Sequence, residues 1–136
     1  MAAPSPGMAT LQVALGGAVG SVLRYQAGRL AVHLLGPNAA TAFPWGTLFV
    51  NVTGSLAMGV LAGWLARHGS GGAENWRLLI GVGLLGGFTT FSSFSLETML
   101  LIERGQPGLA AIYVGVSLLA GIGGLWLGLV AMRMAG

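Results

Sequence analysis

Residues 81–95 read Gly81-Val82-Gly83-Leu84-Leu85-Gly86-Gly87-Phe88-Thr89-Thr90-Phe91-Ser92-Ser93-Phe94-Ser95. The stretch lies inside a longer apolar run over 76–102, and a helix needs about 20 such residues to cross the hydrocarbon core. Its middle is unlike an ordinary span. Gly86 and Gly87 each weaken a helix by roughly 1 kcal/mol relative to Ala, and hydroxyl-bearing residues crowd in directly after them. A helix broken at that depth frees carbonyls that lipid cannot satisfy. Such a break persists only when it is buried in protein or lines a hydrated site, and freed carbonyls of that kind coordinate ions in broken membrane helices. A packed glycine kink, with the Ser and Thr side chains bonded back to the helix, accounts for the same residues. The stretch alone leaves both readings open.

The rest of the chain shares its solvent. Of the 136 residues 54% are hydrophobic and only 7% charged, against about 25% charged in soluble domains. So few charges cannot cover a water-facing surface of this size. Three further apolar segments predict helices over about 10–35, 45–66 and 107–132. Together with 76–102 they make the expected fold an all-α membrane protein of four transmembrane helices, one domain over 1–136, multi-pass in the cell inner membrane. Turn-rich connectors are expected at 36–44, 67–75 and 103–106. Gly36, Pro37 and Asn38 should stop the first helix, and His68-Gly69-Ser70-Gly71-Gly72 reads as a flexible turn. The start, MAAPSPGM, has no basic n-region and no small-residue cleavage site follows it, so the first span reads as retained rather than as a signal peptide. Trp45 and Trp76 fall near segment ends, where amphipathic rings anchor in the headgroup layer.

The net charge of +3 comes from scattered Arg residues, not from a basic patch, which argues against nucleic acid. The absence of Cys removes disulfide and thiolate chemistry, and His33 and His68 lie too far apart in sequence to suggest a shared metal. No catalytic dyad or phosphate loop is visible, so no enzymatic activity is expected. The Arg tally is informative in another way. Arg67, Arg77 and Arg133 fall at one end of the spans, while Arg24, Arg29 and Arg104 lie nearer the other. The positive-inside rule therefore gives no orientation; either a helix end is misplaced or the chain inserts both ways up. Small residues four apart, such as Gly16/Gly20, Gly59/Gly63, Gly83/Gly87 and Gly124/Gly128, let helix backbones approach closely in lipid. Four short helices offer few internal contacts, which favours an oligomer.

Polar residues recur at helical spacing. Thr47, Asn51 and Ser55 form a stripe on the second span, and Tyr113 and Ser117 share a face of the fourth. Phe91 and Phe94 share a face of the third, continued by Ser95 and Thr98. Asn51 has two readings, a bridge between helices and a donor of amide N–H groups to an anion. Arg24 and Glu97 are the candidate buried charges, although each lies close enough to a helix end to reach the interface. A path of hydroxyls, amides and aromatic edges suits a small anion, since it offers donors without a fixed charge that would trap the ion.

Three ordered motifs resemble those of the CrcB/Fluc family of fluoride channels. They are Gly16-Gly17-Ala18-Val19-Gly20-Ser21-Val22-Leu23-Arg24-Tyr25; Gly46-Thr47-Leu48-Phe49-Val50-Asn51 with Gly54; and Gly86-Gly87-Phe88-Thr89-Thr90-Phe91-Ser92-Ser93-Phe94-Ser95 with Glu97 following. The resemblance covers roughly residues 14–130. It implies a fluoride-selective channel for passive efflux from the cytoplasm, built as an antiparallel, dual-topology homodimer with two pores and a broken third helix. It also implies pore lining by Phe91 and Phe94, with Asn51 along the path and polar contacts from Ser92 and Ser93; Thr47, Tyr113 and Ser117 extend the expected pathway. A structural, untransported sodium ion would be bound by the main-chain carbonyls of Gly86 and Thr89. Two positions depart from the family pattern. Ser93 stands where Thr is common, and Gly121 stands where relatives carry Ser, one turn beyond Ser117. Two other functions compete: a small dual-topology, proton-coupled multidrug exporter, for which Glu97 is the candidate carboxylate, and an assembly subunit without transport of its own.

Overall fold

The computed structural model describes residues 4–69 and 72–135. Ser70 and Gly71 of the expected flexible turn, and Met1 to Ala3 of the N-terminal segment, lie outside the described residues. Helix α1 spans Pro6–Leu35. It starts four residues earlier than the hydropathy suggests because Ser5 accepts the Met8 N–H and Pro6 occupies the first turn, both favourable for a helix start. Gly36, at φ 82°, ends it. The connector that follows is not merely a turn. Pro37 and Asn38 open a short helix, α2 (Pro37–Ala42), which stops at the extended Phe43. Helix α3 (Trp45–His68) forms the second span.

The third span is composite. It begins with α4 (Ala73–Trp76), entered from Gly72 in the left-handed region at φ 104°. It widens into a π-helical stretch over Arg77–Leu85, in which the Gly86 N–H reaches back five residues to the Gly81 carbonyl. It returns to α geometry as α5 (Gly86–Phe88) and continues as α6 (Phe91–Glu103). Gly105, at φ 75°, turns the chain into α7 (Pro107–Met134). The four spans Pro6–Leu35, Trp45–His68, Ala73–Glu103 and Pro107–Met134 are each long and apolar enough to cross a membrane. Leu119 is 79% exposed, Ile122 69% and Trp126 60%, so the outward face of α7 is fitted to hydrocarbon. Trp45 and Trp76 are exposed near helix ends. Tyr113, nearly two turns into α7, is fully buried instead.

Two seams hold the chain together, and both are made of glycine. Along α1 and the π-helical stretch, a Cβ at Gly16 would stand 2.8 Å from the Leu84 nitrogen, and one at Gly87 would stand 2.6 Å from the Gly17 carbonyl oxygen. Along α3 and α7, a Cβ at Gly128 would stand 2.6 Å from the Val60 nitrogen, and one at Gly63 would stand 2.6 Å from the Met132 Cβ. These separations leave no room for a methyl group, so backbone meets backbone and dispersion acts at its shortest range. The four spaced glycine pairs are thus taken up inside the subunit. The sequence argument that they favour an oligomer loses its footing, because their packing partners belong to the same chain.

Candidate functional site

Between α5 and α6 two residues leave helical geometry. Thr89 sits at φ −83°, ψ 159° and Thr90 at φ −153°, ψ 118°, both extended. The local reasons are visible. Gly86 and Gly87 lower helix propensity, and Thr is a good N-cap. The Thr90 hydroxyl takes the cap position, accepting the Ser93 N–H at 3.1 Å, while the Thr89 hydroxyl donates back to the Leu85 carbonyl at 2.9 Å.

Asn51 of α3 closes on the interruption from outside. Its Nδ2 donates to the Thr90 carbonyl at 3.0 Å and its Oδ1 accepts the Thr90 N–H at 2.7 Å. One side-chain amide therefore satisfies both backbone groups of a residue that is only 7% exposed, where unpaired polar groups are costly. Asn51 does act as the helix bridge, and it keeps a second amide N–H for another partner. Gly54, one turn along α3, makes room for the break: a Cβ there would collide with the Thr89 methyl.

This pairing redirects two donors. In a continuous helix the N–H groups of Thr90 and Ser93 would serve the carbonyls four residues back, those of Gly86 and Thr89. Here they serve Asn51 Oδ1 and Thr90 Oγ1 instead. The Gly86 and Thr89 oxygens are left without their helical donors on either side of the interruption.

Beside the break lies a cavity of about 300 Å³. Asn51, Ser55 and Met58 line it from α3, Thr89, Thr90, Phe91 and Phe94 from the third span, and Ser117, Gly121 and Leu125 from α7. None of its lining side chains, among the described residues, is charged. The rings of Phe91 and Phe94 are 5.8 Å apart and tilted by 41°. Phe91 is 79% exposed although it lines the cavity, so the cavity is open on that side. The Ser117 Oγ is buried and has no hydrogen-bond partner among the described residues, and a buried hydroxyl in that condition calls for a ligand or a water.

The remaining candidates sit elsewhere. Ser92 is exposed, its hydroxyl 3.2 Å from that of Thr90, and neither it nor Ser93 lines the cavity. Ser95 and Thr98 donate to the carbonyls of Phe91 and Phe94, four residues back. Thr47 and Tyr113 have their hydroxyls on Glu97, at 2.7 and 2.8 Å. The half-buried Glu97 thus ties α6 to α3 and to α7 at once. Phe94 and Tyr113, whose rings are 5.2 Å apart, stand between this carboxylate and the cavity. Two residues of one α3 stripe meet the third span, Thr47 at Glu97 and Asn51 at Thr90, and the third, Ser55, lines the cavity. Sequence reasoning missed Met58 and Leu125, whose apolar side chains carry no signal. It also missed the bond from Gln12 of α1 to Asn75 at 3.0 Å. Among the described residues no cluster of three His, Cys, Asp or Glu side chains stands ready for a metal.

Comparison with known proteins is consistent in one direction. The profile described as CrcB-like protein, Camphor Resistance (CrcB), matches residues 11–129. The chain is 64% identical to the fluoride-specific ion channel FluC of Novosphingobium aromaticivorans over 92% of its own length and 96% of that protein. It is 56% identical to the channel of the same name from Erythrobacter litoralis over 95% of both chains. With that of Caulobacter vibrioides it shares 51% over 90% of its own length and 94% of the relative.

Proposed function

Because this chain belongs to the CrcB-like protein family, we propose that it forms a fluoride-selective channel through which the ion leaves the cytoplasm passively, down its electrochemical gradient. The observation that carries the reading is the uncharged cavity at the interrupted third span. Fluoride is small and strongly hydrated, so a pore must replace most of its water shell. Hydrogen-bond donors and positively polarised ring edges do so. The unpartnered Ser117 hydroxyl, the spare N–H of Asn51 and the rings of Phe91 and Phe94 all meet at this cavity. With no charged side chain in the lining, the ion is held weakly enough to leave again.

The unit of function is a homodimer of antiparallel subunits inserted in both orientations in the inner membrane. The open side of the cavity at Phe91 supports a second copy as the missing wall, and the even division of Arg residues between the two ends supports dual insertion. The carbonyls of Gly86 and Thr89 would hold a structural sodium ion. They fit, since both have lost their helical donors and a hard cation prefers oxygen ligands. Such an ion would supply a fixed positive charge at the break and lock its backbone; it is not transported. Proton-coupled drug export is not favoured, because Glu97 is engaged by Thr47 and Tyr113 and does not line the main cavity.

The decisive experiment loads sealed liposomes carrying the purified protein with sodium fluoride and records release with a fluoride electrode. Rapid fluoride efflux with little chloride efflux is expected. Vesicles that retain fluoride as well as protein-free controls would reject the channel.

A further inference from the structure

A second, smaller cavity of about 150 Å³ lies between α2 and α6. Ala40, Thr41 and Pro44 form one wall, Leu100 and Leu101 the other, with Arg104 and Glu97 also in the lining. Arg104 caps the C-terminus of α6 and is exposed. Glu97 lies seven residues deeper, roughly 10 Å along a helix axis. The cleft therefore runs from the surface inward to the carboxylate that Thr47 and Tyr113 hold. Beyond that carboxylate, the Tyr113 ring packs on Phe94, and Phe94 lines the main cavity. A chain of contacts, Glu97 to Tyr113 to Phe94, thus connects the cleft to the main cavity.

The cation at the mouth is fixed in place. Arg104 Nη1 donates to the Thr41 carbonyl of α2 at 2.9 Å, and the guanidinium forms no ion pair among the described residues. Its neighbour Glu103 does not line the cleft. A guanidinium held at the rim, about 10 Å outside the Glu97 carboxylate that Thr47 and Tyr113 engage, raises the local concentration of small anions at the surface end of the cleft.

We propose that this cleft is the aqueous mouth of the fluoride path and that Arg104 is its anion-collecting residue. The short helix α2, unforeseen in the sequence, then has a function: it forms the outer wall of the mouth and presents the carbonyl that steadies the guanidinium. The proposal rests on the fluoride-channel reading, and its test separates the two. Arg104 acts at a distance and touches no ion held deeper in the path, so the signature sought is a dependence on salt.

Fluoride efflux from liposomes is measured at ionic strengths of about 10 mM and about 1 M, set with an impermeant salt, where the screening length falls from about 30 Å to about 3 Å. At low salt, Arg104→Gln is expected to slow efflux about two- to threefold, the scale of one exposed charge acting through water at about 8 Å. Arg104→Glu should slow it further and Arg104→Lys should leave it unchanged. At high salt all variants should converge on the original protein. Ala40→Glu places the opposite charge on the facing wall while leaving the Arg104–Thr41 bond intact, and should show the same salt-sensitive loss even if Arg104→Gln folds poorly. Equal efflux at low salt, or a deficit that is the same at both salts, overturns the proposal and leaves Arg104 as a clamp on α2. Absence of efflux from the unmodified protein instead removes the channel reading itself.

Discussion

Replacing Asn51 by Ala deletes the one side chain that pairs with both backbone groups of Thr90, at 3.0 and 2.7 Å. Interhelical hydrogen bonds measured within membranes average about 0.6 kcal/mol, so two of them set a floor near 1 kcal/mol. Leaving a buried N–H and C=O unsatisfied costs about 1–3 kcal/mol each, which sets the ceiling near 6 kcal/mol. Thr90 is 7% exposed, but the neighbouring cavity can admit water to the abandoned groups, so a loss of about 2–3 kcal/mol is expected. The measurement is equilibrium unfolding in mixed micelles, paired with fluoride efflux from liposomes. Thr90→Val is the companion variant. It removes the cap on α6 and the hydroxyl contact with Ser92, and should cost about 1 kcal/mol while keeping the Asn51 bridge. Were Asn51→Ala to unfold within 0.5 kcal/mol of the original protein and conduct normally, the idea that this amide holds the interruption in place would be wrong.

Phe94→Ile keeps the bulk but removes the polarised ring edge; it should cut fluoride efflux at least tenfold with an unchanged elution profile in size-exclusion chromatography, and unchanged efflux would remove Phe94 from the path. Gly87→Ala forces a methyl to within 2.6 Å of the Gly17 carbonyl oxygen and should destabilise by about 1–3 kcal/mol, whereas Gly115→Ala, with nothing within 4 Å, should stay within about 0.5 kcal/mol; similar melting curves for the two would contradict the seam described above. Exchanging sodium for a bulky organic cation during purification and assay should abolish efflux if the Gly86 and Thr89 carbonyls need an ion to stay in place; full efflux in sodium-free vesicles refutes that requirement.

The spans were legible because hydropathy over about 20 residues is a strong signal, and the starts at Trp45 and Pro107 follow from local proline and turn chemistry. The early start of α1 was written in Ser5 and Pro6, yet the apolar count begins later and masked it. Helix α2 hid in a connector because six residues are too few to show a period. The π-helical stretch left no mark beyond its glycines, since whether a backbone bonds four or five residues back depends on what packs against it. In the site, the residue types of the Thr47, Asn51 and Ser55 stripe were readable and their partners were not. That Asn51 would meet Thr90, 39 positions away, is a property of helix packing, not of spacing. Ser117 was placed on a polar face, but only the three-dimensional arrangement leaves its hydroxyl without a mate.

The wide-turned segment from Arg77 to Leu85 acts as a phase setter for everything after it. Each residue wound at this wider pitch turns the chain by less than the roughly 100° of an ordinary helix residue, so relaxing the segment to α pitch at unchanged length would rotate the downstream half. The aromatic rings would then swing away from α3 and α7, although composition and hydropathy barely change.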